Sequence, residues 1–411
     1  MARDRAGVGY CDEHDSIEAG RRAGRQAVER AGGGEPGLVL AFGGGAHDPR
    51  LVYEGIRSEV GQAPIVGGST IGVITNQQLG YRGFEVGAAA LPADLVYHMA
   101  AAGGLDRGGV EAGLELGRAL APRRNPEERA ALLFYESVAS PPPPAPVLNA
   151  SSHLLDGFAQ GLGKSPPAIL GAGLMGGFDF SVGRQFCGHE VGEQCAAAVL
   201  LCGDCRVHSR IMHGCEPIST YHTITRVEGA VVYEIDERPA LDVIDELMGD
   251  QPWRGQLPVL LLTLGVNHGD RFGPYDEESY VSRLIAGLIP EERAIVLFEA
   301  DFEKGSQFQF MRRSHELMEE SAERGCAEAL AEVRGAGLEP FLALYVDCAG
   351  RTASFAGVER EEAEIVQRHV GDDIPLLGFY SGVEIAPLLG KSRGLDWTGV
   401  LILLSREGDN V

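Results

Sequence analysis

Near the carboxyl end the chain runs Pro375-Leu376-Leu377-Gly378-Phe379-Tyr380-Ser381-Gly382-Val383-Glu384-Ile385-Ala386-Pro387. A proline opens a short apolar run, two glycines bracket aromatic and small polar residues, and a second apolar run leads away. Pro64-Ile65-Val66-Gly67-Gly68-Ser69-Thr70-Ile71-Gly72-Val73-Ile74 has the same order, and Ala168-Ile169-Leu170-Gly171-Ala172-Gly173-Leu174-Met175-Gly176-Gly177 repeats its strand-and-glycine element. The pattern predicts a buried strand, a tight glycine turn and an exit strand. Open backbone at such turns is where function is sought.

Working outward, each stretch sits at the end of a longer pass. The first has a strand at Leu38 to Phe42, a helix with Leu51, Val52, Ile56 and Val60 on one face, the Pro64 element, and a strand from Phe84 to Leu91. The second has a strand at Ala131 to Tyr135, a helix carrying Leu154, Leu155, Phe158 and Leu162, the Ala168 element, and an exit strand from Cys195. A third pass runs from Val259 through a helix expected near Glu277 to Leu288 and ends in a strand at Gln307 to Met311. The fourth runs from Phe341 through the loop Asp347 to Arg351 and the opening stretch, and ends at Gly399 to Leu404. Repetition of one element order is an architectural signal. It predicts an α/β fold of mixed sheets, built from four repeated strand-helix-strand-turn-strand units in two halves. The expected division is an N-terminal helix in residues 1–35, an N-terminal domain over 36–235 and a C-terminal domain over 236–411.

The bulk numbers bound the function. The 411 residues are 44% hydrophobic and 23% charged, the composition of a folded globular chain. The formal net charge of −24 argues against nucleic acid and anionic lipid as partners. No apolar run approaches the roughly 18 residues of a membrane span, and the first residues do not read as a secretory signal. The expectation is a cytoplasmic protein without membrane insertion, whose eight cysteines are free thiols. The tract Pro141-Pro142-Pro143-Pro144 reads as a stiff loop spacer.

Four further runs carry a resemblance. They are Gly214-Cys215-Glu216-Pro217-Ile218, Arg238-Pro239-Ala240-Leu241, Cys348-Ala349-Gly350-Arg351, and Gly378-Phe379-Tyr380 followed by Gly382 and Glu384-Ile385-Ala386-Pro387. With the Gly67 to Gly72 segment they resemble the FIST family (F-box and intracellular signal transduction), through its amino- and carboxy-terminal domains. The resemblance implies a stand-alone bacterial sensory protein that binds a small, amino-acid-like ligand. It would signal through a separate protein such as a histidine kinase or cyclase. Some family members are haem-based nitric oxide sensors. Two departures stand out: Gly68 occupies a usually cysteine-like position, and Leu395-Asp396-Trp397-Thr398 replaces a His-Asn approach to the last strand.

The candidate ligand residues are Gly67, Gly68, Ser69, Thr70, Cys348, Arg351, Phe379, Tyr380 and Glu384. The Gly67 to Thr70 turn offers backbone N–H groups and hydroxyls to an anion, or it satisfies itself. Arg351 suits a carboxylate and Glu384 an ammonium, with Phe379 and Tyr380 as walls; alternatively the two charges pair with each other. No catalytic motif is found, so the expectation is not an enzyme, with a thiol or metal reaction at Cys348 as the alternative. Cys202-Gly203-Asp204-Cys205 is a lone C-x-x-C, weak for zinc. No cofactor is expected from the residues; haem stays open, with His213, His222 and His268 as axial candidates.

Overall fold

A computed structural model describes residues 5–142, 146–249, 253–255 and 257–408. Three units follow one plan. The first comprises β1 (Gly7–Cys11), α1 (Ser16–Arg30), β2 (Leu38–Gly44), α2 (Pro49–Val60), β3 (Ile65–Thr70), β4 (Val73–Thr75), β5 (Leu79–Gly80) and β6 (Val86–Leu91). The second comprises β7 (Tyr97–Gly103), α3 (Gly109–Leu120), β8 (Ala130–Glu136), the short pair β9 (Val138–Ser140) and β10 (Val147–Leu148), α4 (Ser151–Leu162), β11 (Ala168–Leu174), β12 (Gln185–Gly188), β13 (Val191–Gly192) and β14 (Cys195–Leu201). The third starts with β15 (Arg206–Met212) and is then interrupted.

The interruption is an antiparallel insertion. It holds β16 (Cys215–Pro217), β17 (His222–Glu228), β18 (Val231–Ile235), β19 (Arg238–Pro239), α5 (Ala240–Met248), β20 (Leu262–Asn267), β21 (Tyr280–Arg283), β22 (Ile285–Ile289), β23 (Ala294–Leu297) and β24 (Gln307–Arg313). The third unit resumes with α6 (His315–Gly335), β25 (Leu338–Cys348), α7 (Ala353–Ala356), α8 (Ala363–Val370), β26 (Leu376–Ser381), β27 (Val383–Leu388), β28 (Lys391–Leu395) and β29 (Gly399–Glu407).

The α/β class and the mixed sheets are as the sequence predicts. The count of units is corrected from four to three, and the two halves to a ring. The expected third pass has no helix at Glu277 to Leu288: a single turn at Glu277–Ser279 gives way to β21 and β22. Tyr280, Val281 and Ile285 are buried there, as a strand-forming run of aromatic and β-branched residues favours. Residues 1–35 also hold more than a helix, since β1 pairs with β6.

Each unit builds a six-stranded sheet around a parallel pair: β2 with β3, β8 with β11, β25 with β26. Each also gives a strand away. β4 pairs with β26, β12 with β3, and β27 with β11. First to third, third to second and second to first, the exchange closes a ring, so no unit completes its sheet alone. Phe42, Phe134 and Phe379, one per unit, meet inside it. Phe42 stacks on Phe379 at 3.8 Å between centroids and meets Phe134 edge-on at 5.3 Å.

The glycine segments are not turns. Gly67, Gly68, Ser69 and Thr70 lie within β3, and Gly378 lies within β26. The chain crosses between sheets at Ile71–Gly72 and at Gly382. The glycines are there for close approach: a Cβ at Gly67 would lie 2.0 Å from the Ala41 carbonyl oxygen, and one at Gly171 1.9 Å from that of Leu133. Both have φ in the positive range, +139° and +143°.

Candidate functional site

The strand crossings converge at the carboxyl ends of the parallel pairs, where ligands of open α/β sheets tend to sit. β25 ends at Cys348, beside Ser381 at the end of β26. A Cβ at Gly382 would come within 2.9 Å of Ser137 and 3.3 Å of Met175, both from the second unit. A cavity of 570 Å³ opens over this floor. Its size suits a small organic ligand, whose sites run to about 300–1,000 Å³.

Three elements wall it. The loop after β11 supplies Phe178 and Phe180, the β22–β23 hairpin leads to Phe298, and α7 supplies Phe355. Phe178 and Phe355 lie parallel at 6.3 Å, and Phe180 faces Phe298 at 6.2 Å. The loop is anchored from below by Glu136, which accepts from Gly183 N–H and Gln185 Nε2, both at 2.9 Å. Burial raises the Glu136 pKa to about 7. Glu299 ties the insertion to α4 by accepting from the Ser151 and Ser152 hydroxyls at 2.6 and 2.8 Å, at the positive end of that helix.

The polar groups of the lining are few. Cys348 stands at the start of the short turn Ala349–Arg351, and its side chain makes no capping hydrogen bond there. Burial, with Glu384 nearby, pushes the thiol pKa well up. Asp396 is buried; one carboxylate oxygen accepts from Leu284 N–H at 2.9 Å, and the other has no hydrogen-bond partner among the described residues. Burial lifts its pKa to about 7, against the pull of Arg283. Trp397 holds a left-handed φ of +57°, and its indole N–H is likewise unpartnered among the described residues.

Of the nine residues expected to bind ligand, Cys348 alone lines this cavity, joined by Ser381 and Gly382 from the Pro375 to Pro387 stretch. Arg351 and Glu384 neither face a common ligand nor pair with each other. Arg351 is buried and ion-paired to Glu362, with Asp347 Oδ1 3.2 Å from its Nε. It also donates to the carbonyls of His213 and Trp397 at 3.0 and 2.7 Å. Although burial disfavours its charge, Glu362 and Asp347 hold its pKa above the usual value. Glu384 accepts from the Ser381 hydroxyl at 2.8 Å and from Thr398 N–H at 3.2 Å, and burial raises its pKa.

Phe379 and Tyr380 cannot wall one pocket, because neighbours on a strand point to opposite faces. Phe379 joins the central aromatic trio, while Tyr380 donates to Glu361 on the other side. Ser69 accepts from Arg184 N–H at 3.0 Å and Thr70 donates to the Tyr380 carbonyl at 2.6 Å, so the hydroxyls bind structure. Sequence reasoning missed the aromatic walls and Asp396. The run Leu395 to Thr398, noted as a departure, was the available signal.

Two family models match consecutive parts of the chain, the FIST N domain over residues 37–238 and the FIST C domain over residues 240–387. The chain belongs to the FIST family. FIST domains are known as small-ligand sensing domains in signal transduction. An uncharacterized protein of Mycobacterium tuberculosis is 28% identical over 196 residues, which is 47% of this chain and 50% of that one. One of Mycobacterium bovis is 26% identical over 237 residues, 57% of this chain and 60% of its own length. The chain thus matches only part of each relative. Among solved structures, a chorismatase is 12% identical with a TM-score of 0.33 over 99% of both chains. A cyanuric acid hydrolase from A. caulinodans is 12% identical with a TM-score of 0.25 over 49% of this chain and 73% of that one.

The other landmarks of this FIST protein are structural. His213 and Gly214 both donate backbone N–H to Glu277 Oε1 at 2.6 Å, and Ser321 adds its hydroxyl at 2.6 Å. That carboxylate pins the insertion to α6. The His213 ring spans the Glu277 carbonyl and Cys215 N–H, leaving neither nitrogen for haem iron. Among the described residues no histidine lines the cavity. Among the described residues no group of three His, Cys, Asp or Glu is placed to hold a metal. No described helix is long and apolar enough to cross a membrane. Pro143 and Pro144 of the polyproline tract lie outside the described residues.

Proposed function

We propose that this FIST protein is a cytoplasmic sensor, without catalytic output of its own, that binds a small apolar-bodied ligand in the 570 Å³ cavity. It passes the bound state to a separate signalling protein, such as a histidine kinase or cyclase. The observation that carries the reading is the convergence of aromatic walls from the second unit, the insertion and α7 over the Cys348–Ser381 floor. A ligand there touches all three elements at once and so shifts the balance between their arrangements. An amino-acid-like ligand would place its side chain among these aromatics. Its carboxylate would need a partner other than Arg351, whose guanidinium is engaged in buried contacts.

The test uses the two tryptophans, Trp253 and Trp397. In a Trp253→Phe chain the remaining fluorescence reports from the cavity. Phenylalanine, 2-phenylethanol and phenethylamine are titrated in turn. Saturable quenching by any of them, abolished by Phe355→Asp, supports the reading; no response to all three defeats it.

A further inference from the structure

We infer that the cavity takes an organic cation: a compact ammonium head, alkylated or carried on an apolar body, held between aromatic faces and the Asp396 carboxylate. This rests on the reading of the cavity as the ligand site and adds the sign of the ligand's charge.

Among the described residues the lining contains two ionisable groups, Asp396 and Cys348, and no arginine, lysine or histidine. Asp396 is 2% exposed, and one of its oxygens has no hydrogen-bond donor among the described residues. A carboxylate in that state is costly, and a cation beside it offsets the cost. A second anion in the same space would raise it.

The aromatic walls have the same preference. Phe178 and Phe355 present parallel rings 6.3 Å apart, and Phe355 continues to Trp397 at 6.5 Å. Ring faces carry the negative part of the quadrupole and attract ammonium groups, alkylated ones included. The same use of a ring is already made on Trp397, where the Arg313 guanidinium lies 3.7 Å from the ring centroid.

The charges around the site do not cancel Asp396. Arg283, its nearest cation, is ion-paired to Asp301 and donates to the Gly394 carbonyl at 3.0 Å. The other charged groups nearby are the acidic Glu299 and Glu384 and two cations held on Trp397, Arg313 over its ring and Arg351 on its carbonyl, the latter ion-paired to Glu362. With a pKa near neutrality, the Asp396 carboxyl is readily drawn into its charged form by an arriving cation.

The test compares cations with neutral isosteres on the full chain at pH 8 by calorimetric titration. Choline is set against 3,3-dimethylbutan-1-ol, and phenethylamine against 2-phenylethanol. Each cation is expected to bind at least about tenfold more tightly than its isostere, and Asp396→Asn should remove the preference. Phe355→Leu, a change at the half-buried wall, should reduce choline binding while sparing the alcohols. It stands as the test should Asp396→Asn fail to fold. Equal binding of cation and alcohol, or a preference that survives the substitutions, overturns the charge assignment and leaves the cavity as a ligand site. Binding of neither member of either pair overturns the site itself.

Discussion

Arg351 and Glu362 form an ion pair in which neither side chain has exposed surface. The pair gives Arg351 a structural place in the Cys348 to Arg351 motif, away from the cavity lining. The guanidinium braces the end of β25 against Trp397 and the start of α8, and Cys348 is left to form the floor. Arg351→Ala would strand Glu362 and Asp347 in the interior. Breaking one side of a buried pair typically costs about 3–5 kcal/mol, and that loss is expected in chemical denaturation. Arg351→Lys should recover only part of it, because a point charge cannot reproduce the forked contacts. Wild-type stability in Arg351→Ala would mean that the guanidinium is not needed by the fold.

Gly67 and Gly171 hold corresponding places in the first and second sheets, each opposite a carbonyl of its parallel partner. Gly67→Ala and Gly171→Ala should each cost about 2–4 kcal/mol, combining overpacking with a backbone region unfavourable to a side chain. Gly103 in β7 is a matched control, since a Cβ there meets nothing within 4 Å. Gly103→Ala should stay within about 0.5 kcal/mol of wild type. Equal melting temperatures for all three variants would remove the close-approach argument.

The recurrence of proline, apolar run and glycine was legible because the strands that carry it are buried on both faces, and such strands read as continuous apolar runs. Its count was misread at one place. Val259 to Met311 has apolar runs of the same length as a unit, and pattern alone does not separate the strands Tyr280–Arg283 and Ile285–Ile289 from a helix. The ring was not legible, because the exchange of β4, β12 and β27 is set by pairing between residues far apart in sequence. The site was half legible. Cys348 and Ser381 belong to motifs, whereas Phe178, Phe298 and Phe355 come from three separate segments and meet only in the folded chain. The charges of Arg351 and Glu384 suit a zwitterion in the sequence, which does not show that each has its own buried partners.

All eight cysteines are free and buried. Burial raises the thiol pKa of Cys205 and Cys326 to about 12, and lifts Cys348 well above its ordinary value. Thiolates are the reactive form, so the native chain should react slowly with an aromatic disulfide reagent at pH 8. Fewer than about one thiol per chain is expected within minutes, and eight after unfolding in guanidinium. Rapid modification of Cys348, located by mass spectrometry, would instead favour the thiol-enzyme alternative.

Glu136 links the cavity loop to pH. Its carboxylate accepts from Val138 N–H at 3.0 Å and from Gly183 N–H and Gln185 Nε2 at 2.9 Å, with Arg184 as the nearby cation. Burial outweighs these contacts and raises its pKa to about 7, above the roughly 4.3 of an unfolded glutamate. Between those values the folded chain binds more protons than the unfolded one. This group's contribution to stability is therefore fully present below about pH 4 and is lost as pH rises through about 7. Glu277 and Asp301, whose pKa values are lowered, contribute in the opposite sense, so the total curve does not isolate Glu136. The difference between wild type and Glu136→Gln does. Glutamine cannot ionise, and the penalty of the substitution should shrink by about 1–3 kcal/mol between pH 5 and pH 8. Denaturation midpoints of both chains at pH 5, 6, 7 and 8 measure it. A difference that stays constant across the series would show that Glu136 titrates as an ordinary carboxylate. The Gly183 end of the aromatic loop would then be held by a permanent charge, with no titration to couple it to the cavity.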